Sequence, residues 1–528
     1  MILVLCPGDR DAAAEVVCAA LQRSCGASQA RRIGPALWQA RERAGEPTGR
    51  ILLAIDPPAQ WAGLLIDAIR RGRHKLLLFG SLPAELAAFL GARPAEPPAG
   101  WAADAASAPA PSGADARSLL QIDYRASRPR PWLRPPIAVR PLLRYDFTDE
   151  WNNLGYGALR CDGDLWSVAQ PLRWSRDDSL ATLGLPGREL FDYAACRDDR
   201  VLWFNRPVGP VDSAEWRIVE DFLAHAGAPA LPCQPVLSEV PAGHAAAATM
   251  RLDCDEDIES ARELWRLYRR LRVPFSLALH ARIIQEGMST ALARDVLDGG
   301  GSLLSHTATH APDWGGSYDA ALREALVSAE VIEQATGQRV RYAVSPFHQT
   351  PRYARAALAD AGYAGCVGGI IRNDPDFLMA RAGPAPGSPQ GFIGHSQQCM
   401  LHGDCMLRDG DPLRVFREAF DIARAAGTLF GWLDHPFSAR YQYGWTDEAQ
   451  RMRAHEDFIT ALREAEPRLL LLSEDDALDF LGDRARVRVH EQDGRFAVLP
   501  PEARNSTLNP VLRHAGGEHE LGPGGLLL

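Results

Sequence analysis

Two short stretches decide the fold: Thr-Met-Arg-Leu-Asp-Cys-Asp-Glu-Asp at residues 249–257 and Ser-His-Thr-Ala-Thr-His at residues 305–310. The first reads as a buried strand ending in acids. Side chains at i and i+2 of a strand share a face, so Asp253 and Asp255 point the same way at its C-terminal end. The second stretch follows another apolar strand, 301–304, and sets His306 and His310 four residues apart. Taken as one helical turn, that spacing puts both imidazoles on one side, as needed to grip a single metal ion. Two histidines and a carboxylate make a three-ligand site with room for water, the donor set of catalytic rather than structural zinc. The other aspartate is then free to act as a base. A blander reading makes Asp253 and Asp255 capping or turn acids, although Asp257 is better placed to cap.

Outward from these stretches, apolar strands and periodic helices alternate. A helix over 257–271 and a strand over 274–280 follow the first stretch. The helix Tyr318–Thr336, with Gly337 as its C′ residue, follows the second. Further strands are predicted at 341–344, 366–370, around Leu401, at 428–433 and at 468–472, with helices at 352–361, 413–426 and 447–464. Seven or eight βα units with polar residues at strand C-termini describe a distorted (β/α) barrel over residues 245–482.

Toward the N-terminus, short apolar runs at 2–6, 51–55 and 75–79 alternate with helical patterns at 12–24 and 61–71, which predicts a parallel, doubly wound α/β domain over residues 1–235. It has Pro-rich insertions at 91–115 and 128–141 and the look of a flavodoxin or glutamine-amidotransferase domain without a catalytic triad. It carries no Gly-x-Gly-x-x-Gly turn, P-loop or nucleophile elbow. Cys6, at a strand end, is read as a buried thiol rather than a nucleophile. Residues 231–244 read as a linker, and 484–528 as a small β appendage.

The composition is that of an ordinary globular protein, with 46% hydrophobic and 23% charged residues. A net charge of −10 without a dense Lys/Arg run argues against nucleic acid as a partner. The ten cysteines are scattered without a CxxC pair, which suits reduced thiols. No signal-like start and no run of ~20 apolar residues is found, so no transmembrane segment is expected and the cytoplasm is the expected compartment.

Residues 247–480 resemble the polysaccharide deacetylases, carbohydrate esterase family 4. Asp253-Cys254-Asp255 is similar to the family's first motif in the spaced form of the formamido-sugar deformylase branch, and His306-Thr307-x-x-His310 matches the second. By resemblance, Asp253 is the general base, Asp255, His306 and His310 hold a divalent metal (zinc, with cobalt or nickel as alternatives), and His435 is the general acid. In Val344-Ser345-Pro346-Phe347 the proline and an aromatic of the third motif remain, which places the backbone N–H of Phe347 at the oxyanion hole. Val344 replaces the arginine that holds the base in the family. Either another cation, such as Arg251 or Arg381, takes over, or the base is less well poised. Asp374 is a candidate to orient the acid. His348 is a substrate contact or a plain loop residue; His395 and His402 are read as structural. Phe437, Tyr441, Tyr443 and Trp445 could stack on a sugar or pack a loop.

The resemblance implies a metal-dependent N-deacetylase. Its expected substrate is an acylated sugar, as a nucleotide- or lipid-linked intermediate of surface polysaccharide biosynthesis. The rival is an inactive barrel serving as a carbohydrate-binding or scaffolding protein.

Overall fold

The computed structural model describes residues 1–45, 49–96, 121–125, 128–133, 138–142, 168–206, 213–368, 381–397, 399–403, 411–437, 442–492 and 495–528. The Ile2–Leu5, Ile51–Ile55 and Lys75–Phe79 strands are buried along their whole length, because helices cover both faces of the sheet they share. With Ala30–Arg32 and Val201–Phe204 they form five parallel strands. The spatial order, 2-1-3-4-5, is that of flavodoxin-like winding. Beyond them the sheet turns antiparallel through Arg188–Arg197, Ser179–Leu185, Gln121–Asp123 and Val139–Pro141. The doubly wound reading therefore covers half of a mixed sheet. The hairpin over 179–197, not expected from sequence, turns at Pro186-Gly187.

The second large sheet is parallel throughout and curls as a partial barrel. Its order is Ile393–Ser396, Gly365–Gly368, Tyr342–Val344, Ser302–Ser305, Ser276–Leu279, Ala246–Cys254, Leu429–Asp434 and Cys399–Met400. Leu469–Leu472 pairs separately with the first half of Ala246–Cys254. Alternation sorts the long central strand. Ala246, Ala248, Met250, Leu252 and Cys254 pack into the core under the surrounding helices. Thr249, Arg251 and Asp253 take the opposite, inward face and are buried.

A helix not predicted from sequence, Glu474–Ala485, closes the other end. Its first N–H groups are held by the serines that begin two strands, Glu474 N by Ser276 Oγ and Asp475 N by Ser302 Oγ, each at 3.0 Å. Ala477, Leu478 and Leu481 then pack with Ala247, Leu304 and Val344 inside the sheet. The N-terminal end of the barrel is thereby stoppered, and chemistry is left to the C-terminal end. Gly431 assists: a Cβ there would lie 2.0 Å from Gln397 Oε1, so its absence lets Gln397 cross the strand and donate to Glu474.

Residues 231–244, expected as a plain linker, contain the strand Val236–Leu237, which pairs with Val511–His514. The C-terminal segment is thus sewn back onto the middle of the chain.

Candidate active site

Asp253 lies near the end of its strand, 2% exposed, and charge at such a position must be matched. Arg251, two residues earlier on the same face and wholly buried, donates from Nε to Asp253 Oδ1 at 2.7 Å and from Nη2 to Oδ2 at 3.3 Å. Of the two arginines considered, Arg251 is the one paired with Asp253. Arg381 is engaged elsewhere, donating to Glu220 at 2.7 and 2.6 Å. Burial alone would raise the Asp253 carboxyl; Arg251, with His306 and His435, outweighs it and holds the group below the usual carboxylate range.

Asp255 stands just past the strand end, facing three imidazoles. Its Oδ1 is 3.2 Å from His306 Nε2 and 3.9 Å from His310 Nε2, and its Oδ2 is 3.7 Å from His435 Nε2. Asp255, His306 and His310 offer ligand atoms that all lie within 4.8 Å of one another. The donors of tetrahedral zinc, at bonds of 2.0–2.1 Å, stand about 3.3 Å apart. Two further observations fit a cation. Asp255 Oδ1 is buried and makes no hydrogen bond. His306 Nδ1 lies 3.3 Å from the carbonyl of Val344, where it donates, so the lone pair falls on the Nε2 that faces Asp255. The residues present suit a divalent metal.

The histidine segment is not the helical turn expected from its spacing. Thr307 and His310 have φ of 68° and 54°, left-handed values, and no helix covers 306–310. The two rings still meet, centroids 4.7 Å apart, because the loop is tied down by side chains. Thr307 Oγ1 accepts from His310 N at 2.9 Å. Glu324, on the Tyr318–Thr336 helix, accepts from Ala308 N and Thr309 N at 2.9 and 2.8 Å.

His435 follows the Leu429–Asp434 strand and stacks on Tyr443 at 4.4 Å and 20°. Its Nδ1 lies 3.0 Å from His402 Nε2. His402, expected as structural, therefore lies directly against His435. It lies two residues past the Cys399–Met400 strand, and the rule that sites gather at strand C-termini was the signal for it. His280, directly after the Ser276–Leu279 strand, carries the same signal; its ring lies 6.0 Å from that of His310. His395 keeps its structural reading, with Nε2 3.3 Å from the Leu429 carbonyl.

Phe347 is 46% exposed, its ring 4.6 Å from His310. His348 is buried beside it, and both have left-handed φ. Burial, then the charge of Arg251, pushes the His348 imidazole down to about 3, so it is neutral. Asp253, Asp255, Glu256, Ser260, His435, Pro436 and Tyr443 line a small cleft. Asp374 and Tyr441 lie outside the described residues. Phe437 and Tyr443 pack against the barrel core and Trp445 within it. Far away, burial pushes the Cys6 thiol up to about 12, which leaves it no nucleophile.

Residues 256–366 match the sequence profile of the polysaccharide deacetylase family. The chain carries a polysaccharide deacetylase domain. The match takes in His306, His310 and the 344–347 segment, and begins one residue after Asp255. No curated protein matches the chain. Among solved structures, the chain is similar to a putative polysaccharide deacetylase from Mycobacterium smegmatis, at 14% identity and TM-score 0.38 over 48% of this chain and 94% of that one. Puue allantoinase is similar at 12% identity and TM-score 0.35, over 46% and 92%. A CE4 family pseudoenzyme from Bacillus anthracis is similar at 16% and 0.28, over 43% and 63%. Likeness this distant says nothing about the chemistry of this chain.

Proposed function

We propose that the protein is a metal-dependent carbohydrate N-deacetylase acting on a nucleotide- or lipid-linked sugar of surface polysaccharide assembly. The observation that carries this reading is the convergence of Asp255, His306 and His310 around an orphaned carboxylate oxygen, beside an Arg251-held Asp253. Zinc, or cobalt or nickel in its place, would be held by those three side chains; when bound it lowers the pKa of water to about 7 and polarises an acyl oxygen. Asp253, kept ionised by Arg251, takes the proton of the attacking water. His435 Nε2 faces the same cleft and gives a proton to the leaving amine. The backbone N–H of Phe347 is assigned to the developing oxyanion, a contribution worth roughly 10²–10³ in rate for such a donor. His348, neutral and buried, is assigned to substrate contact. The domain division 1–235, 245–482 and 484–528 and a cytoplasmic site of action belong to this proposal. Among the described residues, no helix is long and apolar enough to cross a membrane.

Val344 favours a second reading, a barrel that binds carbohydrate without turnover. Two measurements separate them. The enzyme should hold about one zinc, cobalt or nickel per chain, lost in His306→Ala/His310→Ala. It should also release acetate or formate from a panel of N-acyl nucleotide sugars and lipid-linked sugars, with Asp253→Asn inert. A protein that takes up no metal on reconstitution is the scaffold.

A further inference from the structure

A second cluster adjoins the cleft: His402, Asp434 and His435 offer ligand-type atoms within 4.8 Å of one another. Two uses compete for it, a second cation or a hydrogen-bonded clamp on His435. Charge decides between them. Asp434 Oδ2 accepts from Arg451 Nε at 2.8 Å and lies 2.9 Å from His455 Nε2. Arg451 is wholly buried, and its Nη1 and Nη2 make no hydrogen bond. One fixed cation thus already balances the carboxylate. A divalent ion a few ångströms away would meet that charge in a poorly screened interior.

The geometry suits a clamp instead. His402 Nε2 is 3.0 Å from His435 Nδ1, an ordinary hydrogen-bond length. Tyr443 lies against both rings, 4.4 Å from each centroid, so one aromatic face holds the pair in register. Asp434 Oδ1, buried and without a hydrogen bond, sits 3.5 Å from His402 Nε2, where its negative charge favours a proton in the His402–His435 contact. With Nδ1 engaged, Nε2 is the nitrogen of His435 left to face the cleft, and it lies 3.7 Å from Asp255 Oδ2.

We propose that His402, backed by Asp434 and Tyr443, is the positioning residue of His435. This rests on the reading of His435 as the proton donor of an amide hydrolase. The test compares two replacements of His402 in the full-length, metal-loaded protein. His402→Gln keeps a hydrogen-bonding group but loses the ring; His402→Phe keeps the ring against Tyr443 but loses the nitrogen. A positioning role predicts that kcat for acyl release falls 10–100-fold in His402→Phe, with KM and metal content unchanged, and recovers largely in His402→Gln. The opposite ranking would show that His402 only fills space and would overturn the proposal. Two metal ions per chain in the wild type, with one lost in His402→Phe, would overturn it too. Imidazole ¹⁵N spectra report the His435 tautomer whether or not the protein turns over. A tautomer locked in the wild type and released in His402→Phe supports the clamp even if no acyl group is released and the deacetylase reading fails. A tautomer unchanged by His402→Phe overturns it.

Discussion

A buried carboxylate needs a partner, and its origin changes what a mutation does. Arg251 and Asp253 sit on one strand face two residues apart, so the pair is local and needs no second element to form. Each is 2% exposed or less, and removing either one strands the other. Arg251→Met is expected to destabilise the fold by about 3–5 kcal/mol, the usual cost of an uncompensated buried charge. The double variant Arg251→Met/Asp253→Asn should recover most of that loss in a denaturant melt while remaining inactive. Recovery of activity in the double variant would remove Asp253 from the reaction.

At the level of elements, the histidine loop is a strained segment braced by a helix. Thr307 and His310 hold left-handed φ, and Glu324 accepts the N–H groups of Ala308 and Thr309 between them. Glu324→Ala leaves the candidate ligands in place but frees the loop, and under the proposed function metal affinity should drop roughly 10–100-fold, as for other groups that orient ligands. Competition with a chelator measures it. The stopper helix makes a different prediction. Glu474, fully buried, is pushed up to about 7 by burial, with Arg251 and Gln397 pulling the other way. A carboxyl raised in the folded state binds more protons there than in the unfolded chain, so stability declines as pH rises from about 4.5 through 7. Glu474→Gln should therefore raise Tm at pH 8 and change it little at pH 4.5. An equal effect at both pH values would show that the side chain does not titrate in this window.

Across the whole molecule, one buried ionic junction ties three parts of the chain together. Glu220, from the Ser213–His225 helix, accepts from Arg381 of the barrel and from Arg513 of the C-terminal segment, while Arg513 also donates to Asp221. Ser24 Oγ donates to the same carboxylate at 2.8 Å. Burial would raise Glu220, but the arginines outweigh it and bring the group down to about 2. A depressed carboxyl adds stability above its unfolded value of 4.5, and that stability is lost as pH falls toward 2. Acid melts should show a single transition that weakens across this range. Arg513→Leu should lower neutral-pH stability by about 3–5 kcal/mol and flatten the acid dependence. Separate transitions for the N-terminal and barrel parts would show that the junction does not couple them.

Sequence alone determined the elements whose information is local. Asp253 and Asp255 are two residues apart at the end of one strand, His306 and His310 follow another, and Gly337 closes a helix that forms as expected at Tyr318–Thr336. Periodicity encodes such elements because a strand or helix sorts its side chains by short-range geometry. Tertiary structure decided what depends on residues far apart in the chain. The stopper helix set by Ser276 and Ser302, and the pairing of residues 511–514 with 236–237, arise from contacts across more than a hundred residues. The same holds inside the site. The choice of Arg251 over Arg381 was settled because Glu220 had already taken Arg381. His402 meets His435 because the ends of two strands lie side by side, a contact between residues 33 apart that no local pattern encodes.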